Sequence, residues 1–209
     1  MAERKVGRPA PATTTEIENE DWYGRDLSGQ SHVQVRFADV DMTEATNNGA
    51  VFSECTFRDC DFNASVHADA AFLNCTFTAC SFFDASFTEC KLVGSMFDRC
   101  RFGALAVVGG DWSLVGLPGA DLRRARLDGV RMREADLTGA RCEGATLRRV
   151  DLAGAWLHSA NLSGADLRGS DLSAVDPLTV ELKGAIVDVD QAIVVAGALG
   201  LDVRPDEGS

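Results

Sequence analysis

"AFLNCTFTACSFFDASFTEC", residues 71–90, decides the fold. Phenylalanine stands at Phe72, Phe77, Phe82 and Phe87, and cysteine at Cys75, Cys80 and Cys90. Every interval within either set is five residues or a multiple of five. An α-helix brings side chains back every 3.6 residues and a strand every two, so neither element alone produces this pattern. A sustained period of this kind marks a chain built from short segments that recur and stack.

Followed downstream in fives, the phenylalanine register continues through Leu92, Phe97, Phe102, Val107 and Trp112. It then becomes a run of Leu and Met from Leu117 to Leu172, broken only by Cys142, and resumes after Pro177 with Leu182 and Val187. Upstream it holds Phe62, Phe57, Phe52, Met42, Phe37, Leu27 and Trp22, with polar residues at His67, Asn47 and His32. The frame runs through 34 repeats, from 22 to 187, without an insertion. A second register, two residues earlier, holds small side chains such as Val40, Ala45, Cys55, Cys60, Ala85, Ala140 and Ala165. The other three positions are mainly Asp, Asn, Ser, Thr, Arg and Gly.

The unit is therefore A-(D/N)-(L/F)-(S/T/R)-x, and "ANLSGADLRGSDLS" from Ala160 states it almost without deviation. It resembles the pentapeptide-repeat family. That resemblance implies an all-β solenoid, a right-handed quadrilateral β-helix with four pentapeptides per coil. The large and small registers would both point inward, with turns at the corners. A 20-residue coil cannot bury its own apolar side chains, so coils must stack. At about 4.8 Å per coil the rod would be about 40 Å long. The stretch Gly103–Gly119, with Pro118 and several glycines, predicts a bend or an irregular coil. Asn47 and His67, 20 residues apart, should lie one above the other, either hydrogen-bonded or in a locally opened coil.

The expected organisation is a disordered tail over 1–19, the solenoid over 20–187, a helix over 188–201 and a second tail over 202–209. Asp188 followed by Gln191 is a capping-box spacing, and Gly200 suits a helix end. The helix is apolar nearly all round, so one face alone cannot bury it. One side should plug the open end of the rod. The other predicts a two-fold homodimer through Val189, Ile193, Val194, Ala196, Gly197 and Leu199.

Catalytic chemistry finds little support. The three histidines form no nucleophile–base spacing, and no Gly-rich phosphate loop or HExxH is present. The Cys pairs are spaced C-x4-C rather than at zinc-site spacings, and buried thiols behave as small apolar groups. No enzyme activity, cofactor or metal is expected. No 18-residue apolar run is present, so no membrane span is expected, and the N-terminus lacks the apolar core of a secretory signal. Seven cysteines without such a signal suggest a reducing cytoplasm.

The net charge is −12, which disfavours direct nucleic-acid binding and suits a basic protein partner. Residues 16–100 hold 15 acids and 5 bases, whereas 101–176 hold 10 of each. Twenty-residue spacing aligns Asp21, Asp41 and Asp61 in one column. Glu44 and Asp84 fall on the same face, and Asp69 and Glu89 on the next. A closer resemblance rests on "FSECTFRDCDF", "GSMFDRCRF", the uninterrupted frame, "VDP" at 175–177 and "VDVDQAIVVAGALGL". These stretches, over about 20–201, are similar to the MfpA-type mycobacterial fluoroquinolone-resistance pentapeptide proteins, which are related to the Qnr proteins. That resemblance implies a dimeric mimic of B-form DNA that binds DNA gyrase and protects it from quinolones or modulates it. The seven acids above would be its phosphate surrogates. The other reading is a pentapeptide-repeat scaffold with a different protein target.

Overall fold

The structure, a computed structural model, describes residues 10–204. Among these are fourteen short strands, β1 to β14, and one helix, α1. All strand pairing is parallel, and partners are 20 residues apart throughout. One turn of the coil therefore takes four pentapeptides, which gives a four-sided parallel β-helix. On the first side, that of Trp22, isolated bridges link Asp21, Asp41, Asp61, Ser81 and Arg101. The second side carries β4 (Thr46–Asn48), β7 (Val66–Ala68), β10 (Ser86–Thr88), β12 (Ala106–Val108), β13 (Arg126–Asp128) and β14 (Thr146–Arg148). The third carries β2 (Ser31–Val33), β5 (Val51–Ser53) and β8 (Ala71–Leu73). The fourth carries β1 (Thr15–Glu18), β3 (Val35–Ala38), β6 (Thr56–Arg58), β9 (Thr76–Thr78) and β11 (Met96–Asp98).

Strand β1 lies inside the stretch expected to be tail. Ile17 continues the inward register one step above Trp22, and Glu16 and Ile17 pair with Arg36 and Phe37. The ladder recruits these residues because an uncovered coil edge leaves its backbone groups unpaired.

Both inward registers are buried in one continuous core. In-register stacking sets identical rings face to face at the strand spacing. Phe37–Phe57, Phe57–Phe77 and Phe77–Phe97 centroids lie 4.8, 4.7 and 4.7 Å apart. The corners take residues ending in 4 or 9 at positive φ, among them Glu44 (57°), Asp69 (50°), Asp84 (57°) and Glu89 (52°). Glycine meets this requirement at least cost. The Leu-rich half uses it at most corners, for example Gly139, Gly154 and Gly164.

Asn47 and His67 are hydrogen-bonded in a closed coil, only 2% and 1% exposed. Asn47 Nδ2 lies 3.2 Å from His67 Nδ1, and Ser65 Oγ lies 2.9 Å from His67 Nε2. The Ser65 hydroxyl donates to Phe62 O at 2.7 Å. Its oxygen is therefore free to accept from Nε2–H, and Nδ1 accepts from Asn47. Burial lowers the His67 pKa to about 3, so the ring is neutral. The thiols also fill space and are weakly satisfied. Cys80 and Cys100 donate to Phe57 O and Phe77 O, both at 3.5 Å. Burial pushes the Cys90 and Cys142 thiols up to about 11 and about 12.

The irregularity expected in Gly103–Gly119 is confined to one side. Among the described residues no backbone bond or bridge joins Arg101–Ala104 to the next coil at Asp121. Stacking is already looser on the step before it, with Phe82–Phe102 at 5.7 Å against 4.9 Å for Phe62–Phe82. At the neighbouring corner Gly109 and Gly110 both have positive φ. A Cβ on Gly109 would lie 2.1 Å from Glu89 Oε1.

The C-terminal end closes with α1 (Val189–Ala198) and the expected capping box between Asp188 and Gln191. Gln191 does more than cap. Its Nε2 donates to Leu167 O at 2.6 Å and Ser170 O at 2.7 Å, the carbonyls at the open end of the rod. Val187 and Val195 pack beside it against the core. The plug is thus an amide flanked by valines, because the edge it covers presents carbonyls that no further coil engages.

Candidate functional site

The solenoid places the seven acids as the 20-residue spacing requires. Asp21, Asp41 and Asp61 form consecutive bridges on the first side. Glu44 and Asp84 stand at the corner that follows it, two coils apart, so about 10 Å. Asp69 and Glu89 sit on adjacent coils at the next corner. The arrangement is an acidic first side and an acidic edge, flanking the second side.

Their environments differ. Asp21 Oδ1 and Asp41 Oδ1 each accept the backbone N–H two residues on, at 2.9 Å. This turn contact recurs at Asp111, Asp136, Asp151 and Asp171, so one oxygen of these two acids serves the fold. Glu89 Oε2 accepts Gly110 N–H at 3.2 Å, which ties it to the chain. Glu44, Asp69 and Asp84 are exposed. Glu44 also raises the pKa of Tyr23, first through a side-chain hydrogen bond and then through its charge. Among the described residues, only Asp61 of the seven has an ion-pair partner, Arg101 at 4.0 Å.

The Leu-rich half contrasts with this. Most of its arginines are matched to carboxylates along and across coils: Arg131 to Asp111 at 3.1 Å, Arg141 and Arg123 to Asp121 at 2.9 and 2.7 Å, Arg133 to Asp151 at 2.6 Å. Arg123 and Arg141 hold Asp121 at about 2, and Arg168 holds Asp166 at about 2. The field of the rod is therefore polarised along its length, with open carboxylates at one end and compensated charge at the other.

Two aromatic residues on the acidic side were not among the candidates. Tyr23 and Phe83 are 56% and 55% exposed and share one column of the first side. The Phe83 ring lies over Gly103, where a Cβ would approach Phe83 Cδ2 to 2.9 Å. The signal was present in the sequence: both stand one residue past the inward register and so must face out.

At the C-terminal end Val189, Ile193, Val194 and Leu199 are 77%, 48%, 44% and 51% exposed. Gly197 is exposed and Ala196 half-buried. The six residues of the expected dimer surface thus lie mainly on the side of α1 turned away from the rod. Among the described residues no group of three His, Cys, Asp or Glu side chains is placed to hold a metal ion. No described helix is long and apolar enough to cross a membrane.

A family model described as pentapeptide repeats, with eight copies, matches residues 117–154 and 135–173. A model described as the SV2A/B/C luminal domain matches residues 15–102. No curated protein sequence matches significantly. Among solved structures, full-length QnrB1, a plasmid-mediated fluoroquinolone resistance protein, superposes with a TM-score of 0.73 at 17% identity, covering 90% of this chain and 99% of that chain. A trypsin-treated QnrB1 variant gives 0.67 at 19% identity, covering 92% and 100%. At such identities the likeness is one of fold. The five-residue frame and the four-sided coil that it builds are those of the pentapeptide-repeat β-helix fold, and the eight matched copies fall within residues 117–173.

Proposed function

We propose that this chain is a non-enzymatic, cytoplasmic DNA mimic that binds DNA gyrase, modulates it and protects it from fluoroquinolone-type poisons. The observation that carries the reading is the set of carboxylates on the first side and its following corners, of which only Asp61 has an ion-pair partner among the described residues: Asp21, Asp41, Glu44, Asp61, Asp69, Asp84 and Glu89. Such a surface complements a groove built to hold phosphates. The fold shared with a fluoroquinolone resistance protein supports the same reading. Seven unpaired thiols suit a reducing compartment.

Charge alone falls short of the mimicry. Duplex DNA carries a charge about every 1.7 Å, whereas a column on the rod offers at most one per coil, about 4.8 Å. Shape and apolar contact must supply the rest, and Phe83 and Tyr23 stand among the carboxylates to do so. A homodimer through Val189, Ile193, Val194, Ala196, Gly197 and Leu199 would cover the exposed side of α1 and double the acidic length.

The test is a gyrase supercoiling assay with and without a fluoroquinolone, paired with pull-down of each gyrase subunit at low salt. Low salt matters because exposed charge is screened over about 10 Å at 0.1 M. Failure to bind either subunit and to alter activity would sink the proposal. Asp41→Lys and Asp61→Lys should abolish binding. If they leave the protein's cellular partner bound, the chain is instead a scaffold for another target. Sedimentation tests the dimer, which Val194→Asp should convert to monomer.

A further inference from the structure

One wall of the rod is unlaced between two coils, along the first side and the corner that leads into it. The step above shows the rule. Ala79 N–H donates to Asp98 O, Arg101 N–H to Cys80 O, Phe82 N–H to Arg101 O and Asp84 N–H to Gly103 O, at 2.9, 3.0, 2.7 and 2.7 Å. The next step would repeat these bonds from Arg99 N–H to Pro118 O, Asp121 N–H to Cys100 O, Phe102 N–H to Asp121 O and Ala104 N–H to Arg123 O. None of these is present among the described residues. The other walls stay laced at the same level. Arg126 N–H donates to Leu105 O on the second side, Trp112 N–H to Arg131 O on the third and Leu117 N–H to Asp136 O on the fourth, at 2.9, 2.7 and 2.8 Å. The seam also opens a thiol: Cys100 is half-buried, whereas Cys60 and Cys80 of the same column are 1% and 0% exposed.

Two residues mark the cause. Among the corner residues, those ending in 4 or 9, every one from Asn19 to Gly169 has positive φ except Arg124. Arg124 N–H also lacks the bond to Glu143 O that its position calls for. Left-handed backbone is strained for a residue with a Cβ, yet elsewhere the ladder holds even Leu114 and Arg149 there, at 60° and 53°. At Arg124 the ladder is missing and the strain is released. Trp112 is the second residue. It lies ten residues from both Phe102 and Leu122, hence on the opposite wall at half the rise between them. It is the largest inward side chain of the third side and is only 2% exposed. An oversized ring in a packed interior displaces the backbone that faces it. Its Nε1 is buried without a hydrogen-bond partner, so packing alone places the ring.

We propose that the seam is a joint with two positions. In the open position the first side is unlaced and Arg124 is relaxed. In the closed position Arg124 takes the left-handed corner and the missing ladder bonds form. Between them the acidic shaft, 15–104, tilts against the Leu-rich base, 121–187. The hinge line is the opposite wall, where Asp111 and Arg131 remain bridged. Gly109 and Gly110, between the seam and that wall, both have positive φ and are suited to absorb the change in backbone angles. The tilt sets the angle between the Asp21–Asp41–Asp61 column and α1. The proposal rests on backbone bonds and is independent of gyrase binding.

The test is nuclear magnetic resonance on the ¹⁵N-labelled full chain, reading amide hydrogen exchange and residual dipolar couplings. The Phe102, Ala104 and Asp121 amides should exchange at least about tenfold faster than their counterparts one coil above, Phe82, Asp84 and Arg101. The couplings of 15–104 and 121–187 should require separate alignment tensors. Arg124→Gly removes the strain of the closed corner, so it should slow exchange at the seam by about tenfold and bring both halves under one tensor. Trp112→Phe, the ring that the same side carries at Phe52 and Phe72, should act in the same direction from inside. Seam amides as protected as their counterparts would mean that the wall is laced and would overturn the proposal. A single tensor for the unaltered chain would make the gap rigid and overturn it as well. Exchange and couplings that respond to neither substitution would remove Arg124 and Trp112 from the joint, and the proposal with them.

Discussion

At the scale of the residue, the buried polar groups of Asn47, Ser65 and His67 are satisfied one by one, and each satisfaction has a consequence. His67 is neutral, with a pKa near 3 set by burial, while the unfolded chain titrates near 6.5. The native pKa is the lower one, so the unfolded state takes up the extra proton as pH falls. Stability should be full above about pH 6.5 and should decline from there toward pH 3. At pH 5 the loss is about 2 kcal/mol. Urea unfolding at pH 7 and pH 5 measures it, and the double variant Asn47→Leu/His67→Leu should lose this part of the dependence. The corner acids make a second prediction. Asp84 holds a left-handed conformation (φ 57°) in which glycine is unstrained. Asp84→Gly should therefore raise stability by up to about 1 kcal/mol while weakening gyrase binding. A variant that gains stability and keeps full binding removes Asp84 from the interface. The stacking of the Asn47–His67 pair was legible from their spacing alone. The direction of its protons was not, because that depends on Ser65 in the other register donating to Phe62 O.

At the scale of the element, the strands are too short to persist alone and exist because coils stack. Helix α1 is different, since one side chain fastens it. Gln191→Ala would leave Ser170 O and Asp188 N–H unpaired, with Leu167 O accepting only from Ser170 N–H, and should cost about 2 kcal/mol, read by thermal unfolding. Amide exchange should quicken first around Leu167–Ser170. The capping box marked the start of the helix in the sequence, and the expected apolar plug was only partly right. A hydropathy pattern reports which residues avoid water, whereas the end of a β-coil presents carbonyls that need donors. The same limit hid the extent of the seam at Arg99–Ala104. The five-residue count survives it, so the frame continues while the hydrogen bonds do not. Pro118 was the visible mark, and the reach of the break followed only from the bonds missing along that edge. Strand β1 was missed for the opposite reason: Ile17 was in frame but isolated among polar residues.

At the scale of the whole molecule, the fold was almost wholly legible, and the placement of the candidate acidic surface partly so. A frame of 34 repeats fixes inside and outside for nearly every side chain, and 20-residue pairing then fixes the columns. What spacing cannot give is which charges are already compensated. Asp121 and Asp41 occupy equivalent positions, yet Asp121 is held by Arg123 and Arg141 and Asp41 has no arginine beside it. If the open carboxylates carry the association, gyrase affinity should fall steeply between low and physiological salt, while the stability of the rod, which rests on its apolar core, should change little. Isothermal titration across a salt series, with unfolding run in parallel, separates the two.

The closed account of twenty residues per turn also makes the rod an indexing device. Adding one complete pentapeptide, for example a second copy of Ala135–Gly139 after Gly139, keeps both inward registers and should leave the chain foldable. Everything C-terminal to it would then be carried round by a quarter turn, so that the helix would face a different compass point relative to Asp41 and Asp61. Adding twenty residues would restore the bearing and lengthen the shaft by about 4.8 Å. A pair of such insertions, compared for folding and for gyrase binding, would separate functions that need one face from those that need a fixed angle between two.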